Sequence, residues 1–257
     1  MHNIKLIIEY DGRNYSGWQI QRSPTLTGTG KKENKEEKKT IQGVLEKTLA
    51  KIVQEKVKVI ASGRTDAGVH AKGQVANVSI KSEIPLQKLK KAINSNLPED
   101  IVIKKIDNVP DDFHSRFSAK SKIYRYQICQ GFMSCFDRFY FTYVPYKLDI
   151  NLMKKEAKTL IGRHDFKSFQ GSRRKAKDTV RTIKNISLRK KGRYIFIDIE
   201  ADGFLYNMVR NIIGTLIEIA RGRFPAGSMR KILNAKNRTK AGPTASSKGL
   251  FLMQVKY

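Results

Sequence analysis

The sequence predicts an α+β fold made of two split βαβ halves, and three observations carry that prediction. Apolar patterns in the first half run strand, helix, strand, strand, helix, strand. The second half repeats that order with less symmetry. The chain's 257 residues, 40% of them apolar, supply a real core, as one large domain or two of ordinary size.

In the first half, residues 4–10 alternate and are rich in β-formers, and Asp11-Gly12 turns the chain. Ile41, Val44, Leu45, Leu49, Ile52 and Val53 fall at helical spacing behind Thr40, a candidate N-cap. Strands at 57–61 and 74–80 flank a polar loop, Leu86, Leu89, Ile93 and Leu97 predict a helix, and 101–109 a closing strand. The second half starts with a strand at 123–129 and a β-like excursion at 136–146. A helix follows, carrying Leu152, Met153, Ala157, Leu160 and Ile161, then strands at 180–188 and 194–201. A helix over about 204–221 and a strand at 250–255 complete it. Two ferredoxin-like halves, 1–112 and 113–257, are expected, with antiparallel sheets joined side by side around a central basic cleft.

Two segments stand outside any core. Residues 23–39 mix Gly, Thr, Lys and Glu without apolar periodicity, which predicts a mobile surface loop. Residues 171–177 are short, basic and free of aromatics, which suits a flexible loop able to close on phosphate.

Lys and Arg outnumber Asp and Glu by 51 to 23, a formal net charge of +28 that exceeds what solubility requires and points to a polyanion such as RNA. Only Cys129 and Cys135 are present, and His2, His70, His114 and His164 are scattered, so no zinc spacing forms. No apolar run approaches the roughly 20 residues of a membrane span, and the N-terminus opens directly into a strand pattern. A reduced, metal-free, cytoplasmic protein with no membrane partner is expected. The chain also lacks a phosphate-binding glycine fingerprint and a Ser/His/Asp nucleophile set. Residues 191–196 match an RNA-recognition consensus poorly and read as an ordinary strand.

Against that charge, the polar loop Gly63-Arg64-Thr65-Asp66-Ala67-Gly68-Val69-His70 places a carboxylate where cation would be expected. Its glycines permit positive φ, Thr65 can cap backbone groups, and Arg64 would favour an ionised Asp66. Asp66 is thus a candidate catalytic carboxylate acting on a nucleotide; the competing reading is an Asx-turn or ion pair in a hairpin connection. In Lys122-Ile123-Tyr124-Arg125-Tyr126, strand alternation puts both tyrosines on one face, for stacking on a base or for core packing. Arg210 is the only charge between Asp202 and Glu218 in an apolar helix. It either snorkels to solvent or needs a carboxylate or phosphate, with Asp66 the candidate carboxylate.

The chain resembles the tRNA pseudouridine synthase A family nearly end to end. The resemblance is carried by Tyr10-Asp11-Gly12, Tyr15-Ser16-Gly17-Trp18-Gln19, Ile41-Gln42-Gly43, the full loop at 63–70, Phe113-His114-Ser115-Arg116-Phe117-Ser118-Ala119 and Tyr124-Arg125-Tyr126. His164-Asp165-Phe166, Phe204-Leu205-Tyr206-Asn207-Met208-Val209-Arg210, Ala241-Gly242-Pro243-Thr244-Ala245 and Gly249-Leu250 complete it. It implies a cofactor-free isomerase that detaches uracil from ribose and rejoins it through carbon, with Asp66 as the catalytic aspartate. By the same matching Tyr124 stacks on the target base, Arg210 pairs with the aspartate, Leu250 walls the pocket and Arg64 holds the flipped nucleotide. It further implies a homodimer with tRNA across both subunits and modification of uridines 38 to 40 in the anticodon arm. Other tRNA positions or ribosomal RNA are the alternative substrates, and a non-catalytic RNA-binding protein is the rival from another class. Three departures bear on the choice of RNA: the insertion at 23–39, Ser115 where alanine is usual, and Ser246 where proline is common.

Overall fold

The structure, a computed structural model, describes residues 1–20, 38–172 and 176–257. Most of the expected mobile loop at 23–39, and the middle of the one at 171–177, lie outside the described residues. The chain divides into two compact units, one of Met1–Ala71 with Val75–Phe117, the other of Lys72–Gln74 with Ser118–Tyr257.

The first unit runs β1 (His2–Tyr10), α1 (Ile41–Val53), β2 (Ile60–Ala61), β3 (His70–Ile80), α2 (Leu86–Asn96) and β4 (Ile101–Asn108). Its strands lie in the order β4-β1-β3 with β2 alongside β3, so the first strand sits between the last and the third, as in a ferredoxin-like unit. The alternation in β1 buries Ile4, Leu6, Ile8 and Tyr10 on one face. Helix α1 begins where expected: the Thr40 side chain accepts from Gly43 N at 3.2 Å, and Ile41, Leu45 and Leu49 turn inward at every fourth position. Leu89 and Ile93 do the same for α2. The strand expected at 57–61 is confined to Ile60–Ala61, paired with Asn77 and Ala76.

The second unit runs β5 (Ser121–Gln130), β6 (Thr142–Val144), α3 (Ile150–Lys158), β7 (Gly162–Asp165), β8 (Val180–Lys191), β9 (Tyr194–Ala201), α4 (Met208–Ala220), α5 (Ser228–Ala235) and β10 (Leu250–Lys256). Its sheet order, β10-β5-β9-β8, repeats the arrangement of the first unit, with β7 added beyond β8 and β6 parallel to β5. Both units are therefore ferredoxin-like and largely antiparallel, the α+β class that the element order predicted.

Three expectations need correction. The β-like excursion at 136–146 reduces to Thr142–Val144, because the chain before it turns on Asp137, whose carbonyl accepts from Tyr140 N and Phe141 N. The helix expected from 204 starts at Met208, since Asn207 sits at φ 59°, outside helical space. Helix α5 and strand β7 were not foreseen. The N-terminus of α5 is capped from a distance: the buried Glu156 carboxylate accepts from Gly227 N at 2.6 Å and Met229 N at 3.0 Å. Every residue of α4 except Arg210 is buried, which makes it the core helix of this unit.

Candidate active site

In the first unit the residues on either side of the chain's first turn build a socket for the Asp66 loop. Gly17 takes φ 97°, and a Cβ there would stand 2.7 Å from Thr65 O and 3.1 Å from Asp66 C, so loop backbone lies directly against it. Trp18 N donates to Thr65 O at 3.0 Å, and Trp18 O in turn accepts from Gln42 N at 2.9 Å, tying the loop to the start of α1. The buried Thr65 hydroxyl hydrogen-bonds the Tyr10 hydroxyl at 2.7 Å. Val69 N closes the turn onto Asp66 O at 3.1 Å. Of the two bracketing glycines only Gly68 takes positive φ, at 74°.

This socket leaves Asp66 half-buried and Arg64 exposed. Three motifs that looked separate in sequence, at 10–12, 15–19 and 41–43, are thus gathered beneath one loop. Nearby, the Tyr15 hydroxyl donates to Asp100, and burial followed by that carboxylate pushes the phenol well above its ordinary range.

In the second unit Tyr124, Tyr126 and Leu250 share a sheet face, because Leu250 stands opposite Tyr126 and Leu252 opposite Tyr124 in the β10–β5 register. Tyr124 is largely buried, its ring and that of Phe204 meeting in a T-shaped pair with centroids 5.0 Å apart at 84°. Tyr126 is fully buried, and its hydroxyl donates to Ser246 O at 2.8 Å and lies 2.6 Å from Thr142 Oγ1. Burial raises its phenol well above the ordinary range against the opposing pull of Thr142 and Arg210, so it stays protonated.

Arg210 reaches the carbonyl next to the one Tyr126 holds. Its Nε donates to Ala245 O at 2.7 Å and its Nη1 to Asn207 Oδ1 at 3.1 Å. The 241–245 strap is pressed onto α4 around the buried Asn211, whose Oδ1 accepts from Thr244 Oγ1 at 2.6 Å and Arg238 Nη2 at 3.0 Å. A Cβ on Gly214 would stand 1.7 Å from Pro243 O, so helix and strap touch through backbone. The strap runs on through a turn of 3₁₀ helix at 247–249 into Leu250.

The five candidate residues therefore fall into two groups: Arg64 and Asp66 on one loop of the first unit, and Tyr124, Arg210 and Leu250 around the strap of the second. The residue-level reading missed the supporting cast, Gly17, Tyr10, Asn211 and Arg238; the family motifs containing the first two were the available signal. The two point departures have local explanations. Ser115 is fully buried, and its hydroxyl donates to Asn77 Oδ1 at 2.8 Å, a bond alanine would lack. Ser246 has φ −57°, within the proline range, and its side chain accepts from Lys248 N.

A duplicated ferredoxin-like protein with a framed carboxylate loop is the class these features define. The family model described as tRNA pseudouridine synthase matches residues 6–118 and 157–257. The chain is 43% identical to tRNA pseudouridine synthase A of Thermoanaerobacter sp. over 100% of both chains, and 43% to the same-named protein of Acetivibrio thermocellus over the same shares. With tRNA pseudouridine synthase A 2 of Clostridium tetani it shares 44% identity over 99% of this chain and 98% of that one. The chain belongs to the tRNA pseudouridine synthase family.

Proposed function

We propose that this chain isomerises uridine to pseudouridine in tRNA, with Asp66 as the catalytic carboxylate. The observation that carries the reading is the socket around the Asp66 loop, in which Gly17, Trp18 and Tyr10 hold loop backbone and the Thr65 hydroxyl while Asp66 itself is only half-buried. A group that must meet a reacting sugar needs such pre-positioning.

In the reaction the bond from uracil N1 to C1′ breaks and one from C5 to C1′ forms. The hydrogen on C5 leaves as a proton and N1 takes one up, so atoms and electrons balance without an oxidant or cofactor. Tyr124 offers a ring packed on Phe204 for stacking against the uracil, Leu250 an apolar wall, Arg210 a fixed guanidinium for developing negative charge, and Arg64 a cation for the nucleotide's phosphate. Uridines 38 to 40 of the anticodon arm are the proposed targets, with a homodimer as the working assembly and the cytoplasm as its place. The basic surface suits that substrate.

The test is release of tritium from 5-tritiated uridine in an unmodified tRNA transcript, comparing wild type with Asp66→Asn. Release by the wild type alone supports the reading. Equal release from both removes Asp66 from the chemistry, and release from neither overturns the tRNA assignment.

A further inference from the structure

The sequence motif at 113–119 has no part in the chemistry above; most of it lies in the loop at 110–117, which ends the first unit. Its scaffold is a buried polar relay. Asn3 Nδ2 donates to Pro110 O at 2.9 Å and Phe113 O at 3.0 Å, and Asn77 Nδ2 donates to Asn3 Oδ1 at 3.1 Å. Asn77 Oδ1 then accepts from both Ser115 N at 2.9 Å and Ser115 Oγ at 2.8 Å. Asn3, Asn77 and Ser115 are 4%, 5% and 0% exposed, so the relay fixes the loop backbone from inside the fold.

Two residues after that anchor the chain sets out Phe117, 76% exposed. His114 Nδ1 accepts from Arg116 N at 3.1 Å and Phe117 N at 3.4 Å, and the imidazole lies 4.3 Å from the phenylalanine ring at 35°. The Arg116 guanidinium sits 5.5 Å from the same ring. Burial of Phe117 contributes little to the core, since most of the ring stays in water. A slack loop would let it fold down; the relay holds the backbone that presents it.

We propose that Phe117, backed by His114 and Arg116, is a stacking platform for an unpaired RNA base outside the reacting pocket. The proposal rests on the RNA-modifying reading and deepens it. A base offers a flat apolar face carried on a polyanion, which matches an exposed ring beside a guanidinium on a chain of net charge +28. A second copy of the chain is the other occupant an exposed ring could take, and sedimentation without RNA decides against or for it.

The experiment measures binding of full-length protein to an unmodified tRNA transcript, together with single-turnover pseudouridine formation at saturating RNA. Phe117→Ala is expected to weaken binding about 5- to 150-fold while leaving the single-turnover rate within about twofold. Phe117→Trp should restore affinity, and its new exposed indole should be quenched by the RNA, against a background from the single, buried native Trp18. Unchanged affinity of Phe117→Ala, an unquenched indole, or a wild type that does not bind the transcript each overturns the platform. So does a fall in sedimenting mass of Phe117→Ala without RNA, which would make the ring a self-association contact. Tight binding with no product from the wild type would overturn the isomerase reading while the Ala and Trp affinities still decide the platform.

Discussion

Arg210 and Ala245 hold each other through two hydrogen bonds: the guanidinium Nε donates to Ala245 O at 2.7 Å, and Ala245 N donates to Arg210 O at 3.1 Å. With Nη1 held by Asn207 Oδ1, the plane of the guanidinium is fixed before any RNA arrives. Lysine keeps the charge but cannot reproduce the fork. Arg210→Lys is expected to lower the single-turnover rate by about 100-fold with little change in tRNA affinity. Rapid-quench kinetics would check this, and a rate near wild type would remove Arg210 from the machinery.

The bond between Tyr10 and Thr65 couples the central strand of the first unit to the Asp66 loop. Thr65→Val deprives a buried phenol of this partner and should cost about 1–3 kcal/mol in urea unfolding. Tyr10→Phe in the same chain removes the other half of this bond, so the double variant should lie closer to wild type than the two single losses summed. Strict additivity would show that the two hydroxyls do not act together.

Helix α4 and the strap at 241–245 leave no space at Gly214. Gly214→Ala puts a methyl 1.7 Å from Pro243 O, so the strap must lift or the helix shift. The expected destabilisation is at least about 3 kcal/mol, above the usual range for a single added carbon because both sides of the contact are backbone. Thermal melting measures it, and activity should fall further than stability alone explains because Ala245 O moves with the strap.

Glu200 gives a pH signature. The Ser121 hydroxyl at 2.6 Å and the Lys256 ammonium at 2.9 Å hold its carboxyl below the ordinary value of 4.5. A lowered folded value means the carboxylate stabilises the fold above the unfolded value and loses that contribution as pH falls through the folded one. The stability gap between wild type and Glu200→Gln should be full at neutral pH and close on the acid side of 4.5. Urea melts across that range would show it, and a gap independent of pH would contradict the assignment.

Much of this was legible in sequence because it was periodic or local. Alternation located β1 and β9, every-fourth-residue spacing located α1 and α2, and Thr40 announced its own helix. The loop of Asp66 stood out because a carboxylate between glycines is unusual in so basic a chain. What was hidden depends on partners far away. Helix α5 is held at its start by Glu156, distant in sequence, and β7 is a short polar strand formed by pairing with β8. The segment before β6 looked β-like because it is aromatic, yet Phe136 is 85% exposed and Asp137 turns the chain there. Asn207 in left-handed space carries no pattern at all.

The position of Gly17 against Thr65 and Asp66 has a consequence for how the site comes into being. The loop's geometry is imposed by segments some fifty residues earlier and by the start of α1, so it is a high-contact-order feature that matures only when the first unit closes. A truncated chain carrying residues 60–71 without the segment at 10–19 would present the same side chains without their frame. Transplanting the loop alone into another scaffold should therefore confer nothing, and competence for chemistry should appear during refolding together with global protection of the first unit's amides.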